Sequence, residues 1–285
     1  MIEKMKLPKV QKNAQKCKMT VMNAGNYRTM EKFIKKDNKM KQMWGPALFF
    51  LIEHPEKGYI LFDTGYDTRY YEATKKFPYS ILKVLVPARV SENENSLVQL
   101  KEKNINPDDV TVILSHLHID HAAGIHDYPN SKIYISKIEW EYTRKSALKL
   151  LQDCYLKSLF DQINPEHVEK VDFEKGRKYG PFEQAVDVFG DETLILVPLF
   201  GHTVGQMGLI VNCSEEERYF LIADAVYTRE NYEQMVKGFF LSNIAHTDKK
   251  RYLDHFQFLH DLSQANPDLQ IMPSHDSGVY KKYVK

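Results

Sequence analysis

Three histidines and one aspartate lie within six consecutive positions of this 285-residue chain, in the segment Ser115-His-Leu-His-Ile-Asp-His121. The segment directly follows a short apolar run at residues 111–114, which predicts a buried β-strand. Three imidazoles at one strand end repel one another when protonated, and a divalent metal ion both displaces the protons and binds the rings. The segment therefore predicts a metal site at the edge of a sheet.

The spacing inside this segment divides its side chains into two groups. In extended backbone, residues two positions apart point to the same side, so His116 and His118 can share one ion. Asp120 and His121 then face a second position nearby. One short segment cannot supply all the ligands of two ions, so the remaining ligands must come from elsewhere in the chain.

Three other histidine or aspartate residues also follow short apolar runs. A strand end holds a side chain rigidly while the following loop leaves it open to solvent, which suits a binding site. A carboxylate can bridge two cations, so Asp224 is the natural shared ligand. Each ion then keeps room for an exogenous oxygen, which is typical of catalytic sites. We predict one ion held by His116, His118, His202 and Asp224, and a second held by Asp120, His121, His275 and Asp224.

Composition and charge disfavour several other classes of protein. Hydrophobic residues make up 43% of the chain, enough to bury a sizeable core, and the net charge of +1 is not the strongly basic total of a general nucleic-acid binder. The three cysteines, Cys17, Cys154 and Cys213, are too scattered for a disulfide framework. We find no signal peptide and no run of about 18 apolar residues, so we expect a soluble, cytoplasmic protein with no membrane partner.

The N-terminal region carries an excess of positive charge. Residues 1–41 contain 12 Lys or Arg and 3 Asp or Glu, a net charge of +9, which leaves −8 for the rest of the chain. This region fits a solvated, partly mobile lead-in, and it also fits a basic flap near an anionic ligand or surface. We divide the chain into a basic lead-in at residues 1–16 and a single domain at residues 17–285.

Short apolar runs and amphipathic stretches alternate along the rest of the chain. Two runs at 47–52 and 59–62 flank a turn that contains Pro and Gly, and they predict a hairpin. Residues 96–99 have the form of a capping box that begins a helix, and apolar residues at three-to-four spacing predict an amphipathic helix over 247–264. Mixed strands and helices indicate an α/β or α+β sandwich. Further strands are predicted at 111–114, 132–135, 194–197, 207–211, 219–223 and 269–272.

Five segments stand out when the candidate ligands are taken together with their neighbours. They are Leu61-Phe-Asp-Thr-Gly65, His116 to His121, Gly201-His-Thr-Val-Gly205, Asp224-Ala-Val-Tyr-Thr-Arg-Glu-Asn231 and Ser274-His-Asp276. These segments resemble motifs of the metallo-β-lactamase superfamily, and in detail the chain is similar to the dinuclear N-acyl homoserine lactone lactonases. The resemblance covers most of the chain from about residue 49 onward. It implies a four-layered αβ/βα sandwich with two metal ions at one edge, between the two sheets.

The resemblance also implies roles for two residues outside the ligand set. Tyr227 would be the phenol that hydrogen-bonds the substrate carbonyl, and its alternative is a tyrosine that packs in the turn after a strand. Asp63 would accept a hydrogen bond that orients a ligand histidine, and its alternative is an ordinary turn aspartate in Asp-Thr-Gly.

The reaction that fits these residues is the opening of a lactone ring to a hydroxy acid. Two divalent metals lower the pKa of water from about 15.7 to about 7, so a hydroxide that bridges them attacks an ester-like carbonyl at neutral pH. Asp120, beside this nucleophile, would carry a proton to the departing alkoxide. The ligands suit zinc, and also iron, manganese or cobalt. The expected partner is a small ester or lactone, with quorum quenching as the biological effect, and the sequence is compatible with a homodimer.

Three positions depart from the lactonase pattern. Those lactonases usually have Pro where this chain has Val204, His where it has Gln206, and an aromatic residue where it has Ile119. The stretch at residues 16–44 also differs from the substrate-covering loop of the family. The departures concern substrate recognition and leave the predicted metal ligands unchanged.

Three other functions compete with this prediction. A thioester hydrolase of the glyoxalase II kind would use the same metals but usually adds a helical domain after the last ligand, and only ten residues follow His275. A phosphodiesterase or ribonuclease of the superfamily would need a basic track for phosphates, and the basic N-terminal region leaves this function open. A non-catalytic metal-binding module would more often have lost ligands.

Two further groups of residues have open assignments. The other histidines fit surface or packing positions, and His246 stands apart because it lies in the stretch after Tyr227. An aromatic cluster after the Asp63 turn fits core packing, and it also fits an apolar pocket for an acyl chain. Its members are Tyr66, Tyr70, Tyr71, Phe77 and Tyr79.

Overall fold

Thirteen β-strands form two sheets in the part of the chain that the structure describes. The structure is a computed structural model, and it describes residues 2–10, 16–240, 242 and 246–284. The strands are β1 (Lys18–Met30), β2 (Gln42–His54), β3 (Gly58–Phe62), β4 (Ala88–Arg89), β5 (Val110–Ile113), β6 (Ile133–Ser136), β7 (Val168–Val171), β8 (Arg177–Tyr179), β9 (Phe182–Asp187), β10 (Leu194–Pro198), β11 (Met207–Asn212), β12 (Arg218–Ala223) and β13 (Leu269–Pro273). The first sheet has the strand order β4-β1-β2-β3-β5-β6-β7, and the second has the order β13-β12-β11-β10-β9-β8.

Helices connect many of these strands. The α-helices are α1 (Glu31–Ile34), α2 (Arg69–Ala73), α3 (Leu82–Leu85), α4 (Ser96–Glu102), α5 (Ile119–Ala122), α6 (Lys137–Tyr142), α7 (Ala147–Gln152), α8 (Arg229–Glu233), α9 (Lys249–Ala265) and α10 (Ser277–Tyr283). Short 3₁₀ helices lie at Ile2–Met5, Tyr79–Ile81, Glu92–Glu94, Pro107–Asp109, Ala123–Asp127, Lys157–Leu159, Pro165–His167 and Phe173–Lys175. Within the described ranges, no helix combines the length and the apolar character that crossing a bilayer requires.

Apolar side chains on opposite faces of each strand build separate layers of the core. In β2, Leu48, Phe50 and Ile52 pack with residues of β10 and β11, so this face meets the second sheet. The intervening residues Phe49 and Leu51 pack with residues of α4 and α7 on the outer face. Such alternation is what a strand buried on both faces requires.

Helix α9 covers the outer face of the second sheet. Its buried side chains, Tyr252, Phe256, Leu259 and Leu262, pack against apolar residues of β10 to β13. Asp248 caps the helix by accepting a hydrogen bond from the Arg251 N–H at 3.0 Å. The amphipathic helix predicted over 247–264 is therefore confirmed. The layers run helices, sheet, sheet, helices, which confirms the predicted four-layered αβ/βα sandwich.

The strand register brings several strand ends to the same edge. β2 and β3 form the predicted antiparallel hairpin, with His54 opposite Gly58. β3 and β5 pair in parallel, so the residues after Phe62 and Ile113 leave the first sheet side by side. β12 and β13 are also parallel, in the second sheet. The loops that carry the candidate ligands therefore begin at neighbouring carboxyl ends of strands.

The N-terminal region contains a strand that the sequence did not predict. β1 pairs with β2 on one side and with β4 on the other. Val21, Met22 and Ala24 are buried in it. The interpretation of residues 1–41 as a solvated lead-in is therefore wrong for residues 18–30, because their backbone is part of the first sheet.

Residues 2–10 lie against the second sheet and its outer helix. Leu7 is buried, and its N–H donates a hydrogen bond to Oδ1 of Asn266 at 2.8 Å. Most of the remaining lead-in, residues 11–15, lies outside the described residues. The division of the chain at residue 16 stays a prediction.

The helix predicted from residue 96 is present, but its predicted capping box is wrong. Asn95 precedes the first helical residue, and its side chain makes no capping bond. The Ser96 hydroxyl instead accepts a hydrogen bond from Tyr128 at 2.9 Å. The Gln99 amide donates to the carbonyl oxygens of Asn23 and Glu94. Tertiary contacts therefore take the place of the local cap.

Candidate metal centre

The predicted ligand segment runs from the end of β5 into α5, and its main chain is fixed to both sheets. The Ser115 N–H donates to Oδ1 of Asp63 at 2.7 Å, and the Ser115 carbonyl accepts from the N–H of Met207 in the second sheet at 3.0 Å. The backbone is extended at His118 and then enters the short helix α5. The segment is thus divided into an extended half and a helical half.

The seven candidate ligands come together at one edge of the sandwich. Asp224 contacts imidazoles of both predicted metal positions: its Oδ2 lies 3.4 Å from Nε2 of His202, and its Oδ1 lies 3.2 Å from Nε2 of both His121 and His275. Three sets have ligand atoms within 4.8 Å of one another, namely His116, His118 and His202; His116, His121 and Asp224; and Asp120, His121 and His275. The structure therefore brings together residues from four separate loops.

Each of two imidazoles is anchored by a main-chain carbonyl on the side that faces away from the centre. Nε2 of His118 lies 2.9 Å from the carbonyl oxygen of Asp153, and Nδ1 of His275 lies 2.8 Å from that of Pro46. A carbonyl oxygen only accepts hydrogen bonds, so the outer nitrogen must carry the proton. When the ring is neutral, its inner nitrogen then carries a lone pair, which is the form that binds a metal.

Asp63 fixes the outer nitrogens of two more imidazoles, one directly and one through the Ser115 hydroxyl. Its Oδ2 accepts a hydrogen bond from Nδ1 of His121 at 2.8 Å and another from the Ser115 hydroxyl at 2.8 Å. Because that hydroxyl donates to Asp63, its oxygen is free to accept from Nδ1 of His116 at 3.0 Å. Asp63 is fully buried and has a φ of +64°, a left-handed conformation that aspartate tolerates in turns. Its position matches the orienting role that the resemblance implies.

Burial and the surrounding charges shift the pKa values of the candidate histidines in opposite directions. Burial, with the help of neighbouring imidazoles, lowers the pKa of His116 and of His202 well below the ordinary value. Burial also opposes protonation of His275, but Asp224 and Asp120 raise its pKa to about 10. Burial opposes ionisation of Asp224, yet the imidazoles around it hold its pKa well below the usual range. In the metal-free protein the centre therefore holds an ionised Asp224 beside neutral His116 and His202 and a protonated His275.

Nε2 of His116 is buried at this centre and has no hydrogen-bond partner among the described residues. Nε2 of His121 and Oδ1 of Asp224 are buried as well, and their contact with each other is an ion pair at 3.2 Å. Buried polar atoms are nearly always paired, so the unpaired imidazole nitrogen calls for a ligand. Nitrogen and oxygen donors without a thiolate suit zinc and other divalent first-row metals. The residues of the site therefore fit the metals that the sequence predicts.

Tyr227 and Asp120 lie beside the same centre. The half-buried Tyr227 ring has its centroid 6.0 Å from that of His275 and 6.1 Å from that of His202. One carboxylate oxygen of Asp120 lies 3.3 Å from Nε2 of His275, and the other lies 3.9 Å from Nε2 of His121. Both residues therefore lie beside the candidate ligand histidines, and their catalytic roles stay predictions.

Comparisons with known proteins agree with this geometry. The sequence profile of the Metallo-beta-lactamase superfamily matches residues 43–265, which is most of the chain. The chain belongs to the metallo-β-lactamase superfamily. Among proteins of known sequence, this superfamily member is 28% identical over 247 residues to the N-acyl homoserine lactonase AttM of Azorhizobium caulinodans, covering 84% of this chain and 85% of the relative. It is also 28% identical over 192 residues to an N-acyl homoserine lactonase of Bacillus sp, covering 67% and 68%.

Solved structures share the metallo-β-lactamase fold of this chain. An N-acyl homoserine lactone hydrolase, with the product N-hexanoyl-L-homoserine bound at its catalytic metal center, superposes with a TM-score of 0.73 at 23% identity, covering 94% of this chain and 96% of that one. AidC, a dizinc quorum-quenching lactonase, superposes with a TM-score of 0.64 at 18% identity, covering 95% and 91%. At these identities the likeness establishes the fold.

Glu139 of α6 contacts both sides of the candidate metal centre, and no sequence signal pointed to it. Its Oε1 accepts hydrogen bonds from the Leu117 N–H at 3.1 Å and the Tyr155 hydroxyl at 2.7 Å. Its Oε2 accepts from the Thr203 hydroxyl at 2.9 Å and the Gly205 N–H at 3.0 Å. Burial raises the pKa of Glu139, and these donors act in the opposite direction. One buried carboxylate thus joins two ligand-bearing loops.

His246 is a further histidine at the candidate metal centre. Its Nδ1 lies 2.9 Å from Nδ1 of His202, and both rings are buried. Burial lowers the pKa of His246 to about 3, so the ring is neutral. The sequence interpretation as a surface or packing residue missed this contact, because a pairing across 44 residues leaves no local pattern.

The aromatic residues near the site divide into buried and exposed members. Tyr66 and Tyr70 are fully buried, whereas Phe77 is 86% exposed and does not line an enclosed pocket. Tyr27 of β1 has its ring centroid 4.5 Å from that of His275, and its buried hydroxyl has no hydrogen-bond partner among the described atoms. Tyr27, Tyr66 and Tyr70 pack in one cluster with Ile119. The acyl-pocket hypothesis stays a prediction for the buried tyrosines.

Proposed function

We propose that this protein is a dinuclear metal-dependent hydrolase that opens a lactone ring, with N-acyl homoserine lactones as the substrate class. The observation that carries the proposal is the convergence of five imidazoles and two carboxylates at one edge of the sandwich. The relatives named N-acyl homoserine lactonase support a lactone over other esters. If such signalling lactones are the substrates, the biological effect is quorum quenching.

Two divalent cations would be held by the seven ligands, with zinc as the first choice and iron, manganese or cobalt as alternatives. Bound there, the cations would lower the pKa of water to about 7 and polarise the substrate carbonyl. The fixed outer hydrogen bonds prepare the imidazoles by directing their lone pairs to the centre. His116, His118 and His202 would hold one cation, Asp120, His121 and His275 the other, and Asp224 would bridge them.

Tyr227 would donate a hydrogen bond to the carbonyl oxygen of the lactone. Burial, with the nearby Tyr252 and Asp224, raises the pKa of this phenol well above its ordinary value, so the hydroxyl keeps its proton at neutral pH. The carbonyl oxygen gains negative charge as the nucleophile adds. A fixed donor at that oxygen typically stabilises the transition state by about 3–4 kcal/mol.

Asp120 would move the proton that completes the reaction. Water adds its oxygen to the carbonyl carbon, the ring C–O bond breaks, and the departing alkoxide takes up the proton, which gives a hydroxy acid. Asp120 lies beside both His121 and His275, and its side chain is 19% exposed, so it can contact a substrate in the site. It can therefore accept the proton of the water and pass it to the alkoxide.

The test is a metal analysis of the purified protein followed by a panel of substrates. The panel contains N-hexanoyl homoserine lactone, a simple aliphatic lactone, a glutathione thioester, a phosphodiester and a β-lactam. We expect about two equivalents of metal and fastest turnover of the acyl homoserine lactone, with the hydroxy acid identified by mass spectrometry. Turnover confined to the thioester or the phosphodiester would replace the proposed function with one of its competitors.

A further inference from the structure

His202 differs from the other candidate histidine ligands in what holds the outer side of its ring. The outer nitrogens of the other four face a main-chain carbonyl, a carboxylate or a hydroxyl. The outer nitrogen of His202 faces a second imidazole instead, with 2.9 Å between its Nδ1 and Nδ1 of His246. The residue that orients His202 is therefore itself a histidine.

An imidazole can donate or accept a hydrogen bond, so this contact has two arrangements. When His246 accepts, the proton lies on Nδ1 of His202, and the lone pair of its Nε2 faces the centre. When His246 donates, the proton of His202 lies on Nε2, 2.9 Å from Nδ1 of His118 and 3.4 Å from Oδ2 of Asp224, and that nitrogen cannot bind a cation. Metal binding through Nε2 of His202 therefore requires His246 to be the acceptor.

The chain around His246 is fixed to the loop that carries His202. The Thr247 N–H donates to the carbonyl of His202 at 3.1 Å, and the Asp248 N–H donates to the carbonyl of Gly201 at 2.9 Å. The His246 ring stacks on Tyr252, with 3.5 Å between centroids and 18° between planes. Because Asp248 also caps α9, the first turn of that helix sets the position of the acceptor nitrogen.

Packing alone does not account for an imidazole at this position. His246 is 5% exposed, and its Nε2 is buried without a hydrogen-bond partner among the described residues. A buried polar atom without a partner costs about 1–3 kcal/mol. A phenyl ring would stack on Tyr252 without that cost. What the imidazole adds is the hydrogen bond that its Nδ1 makes with His202.

We infer that His246 is a positioning residue that accepts the Nδ1 proton of His202 and so directs Nε2 of His202 toward the metal shared with His116 and His118. The inference rests on the metal-binding part of the proposed function and does not depend on the identity of the substrate. Residues that orient metal ligands in this way typically change metal affinity by about 10–100-fold when they are replaced.

The test compares two substitutions of His246. One removes the hydrogen-bond acceptor and keeps the stacked ring, and the other removes the ring and keeps an acceptor. His246→Phe keeps an aromatic ring against Tyr252 but removes the acceptor, and His246→Asn removes the ring but supplies an amide oxygen close to the position of Nδ1. Zinc affinity is measured by chelator competition on the full chain, and zinc content by mass spectrometry. We expect His246→Phe to weaken one of two zinc ions by about 10–100-fold and His246→Asn to stay within a few fold of the wild type. His260→Phe, at a histidine of α9 whose Nδ1 lies 3.0 Å from the carbonyl oxygen of Tyr232, is the control and should match the wild type.

Two outcomes would overturn the inference. One is unchanged affinity for both zinc ions in His246→Phe. The other is a greater loss in His246→Asn than in His246→Phe, because stacking would then be what matters. Neither measurement uses a substrate, so a wild type that binds zinc but does not open lactones overturns the proposed reaction alone. A wild type that binds no zinc overturns both.

Discussion

The carboxylate of Asp63 lies 2.8 Å from Nδ1 of His121, on the side of the ring opposite the metal centre. An amide at position 63 can accept through one oxygen only, whereas Asp63 accepts from His121 and twice from Ser115. We expect Asp63→Asn to lower zinc affinity by about 10–100-fold, measured by chelator competition. Asp67→Asn, at a buried aspartate of the same turn region, is the matched control. Equal losses in the two variants would contradict an orienting role for Asp63.

Asp224 faces imidazoles of both metal positions, so its loss should affect both. Asp224→Asn keeps the size of the side chain but removes the negative charge that offsets two cations. We expect the zinc content to fall from about two equivalents toward one or none, and lactone turnover to fall by more than about 10³-fold. A fully active variant with two zinc ions would refute the bridging position.

Tyr227→Phe removes one hydroxyl and keeps the ring beside His202 and His275. If that hydroxyl donates to the developing oxyanion, kcat should fall by about 10²–10³-fold while zinc content is unchanged. Steady-state kinetics with N-hexanoyl homoserine lactone measure this, and KM should change much less than kcat. Tyr66→Phe, at a nearby buried phenol, should leave kcat within a few fold. A rise in KM alone would show that Tyr227 contributes to binding and not to the chemical step.

Glu139→Gln should weaken the fold around the site. The amide keeps one acceptor oxygen and adds an N–H group that faces the donors of Thr203 and Gly205. We expect the free energy of unfolding to fall by about 2–3 kcal/mol, measured by urea denaturation in the presence of a chelator. Glu141→Gln, two residues along the same helix and exposed, should change it by less than about 0.5 kcal/mol. Equal free energies of unfolding for the two variants would contradict the inference that Glu139 stabilises the fold by joining two loops.

Zinc binding should release protons and strengthen as the pH rises. In the metal-free protein, burial opposes protonation of His275, but Asp224 and Asp120 raise its pKa to about 10. Below that pH the ring carries a proton that zinc must displace, so the affinity should rise by up to about tenfold per pH unit for each proton displaced. Calorimetry in buffers of different ionisation enthalpy counts the released protons. A zinc Kd that is constant between about pH 6.5 and 8.5 would contradict this assignment.

The convergence of the seven candidate ligands could be predicted from the sequence because each of them follows a local pattern. His202, Asp224 and His275 all follow apolar strands within a few residues, and the parallel pairing of β12 and β13 brings together the ends that carry Asp224 and His275. The other four candidate ligands lie within one segment of six residues, His116 to His121. These signals are carried by a few adjacent residues, so one sequence is sufficient to detect them.

Glu139 and His246 could not be predicted because their partners are distant in sequence. Glu139 is one of two glutamates in α6, and only its contacts with residues 64 and 66 positions away distinguish it from Glu141. β1 was missed for a different reason. Polar residues interrupt its apolar ones, and its register with β2 shifts between Asn23 and Asn26, so no alternation of period two extends along it.

The candidate ligands come from loops of both sheets, since His116 follows β5 of the first sheet and His202 follows β10 of the second. A pair of bound cations would therefore act as a reversible crosslink between the two halves of the sandwich. Without the cations this edge would open more often than the rest of the molecule, so amide hydrogens near residues 115–122 and 201–206 would exchange with solvent faster while those of the central strands stay protected.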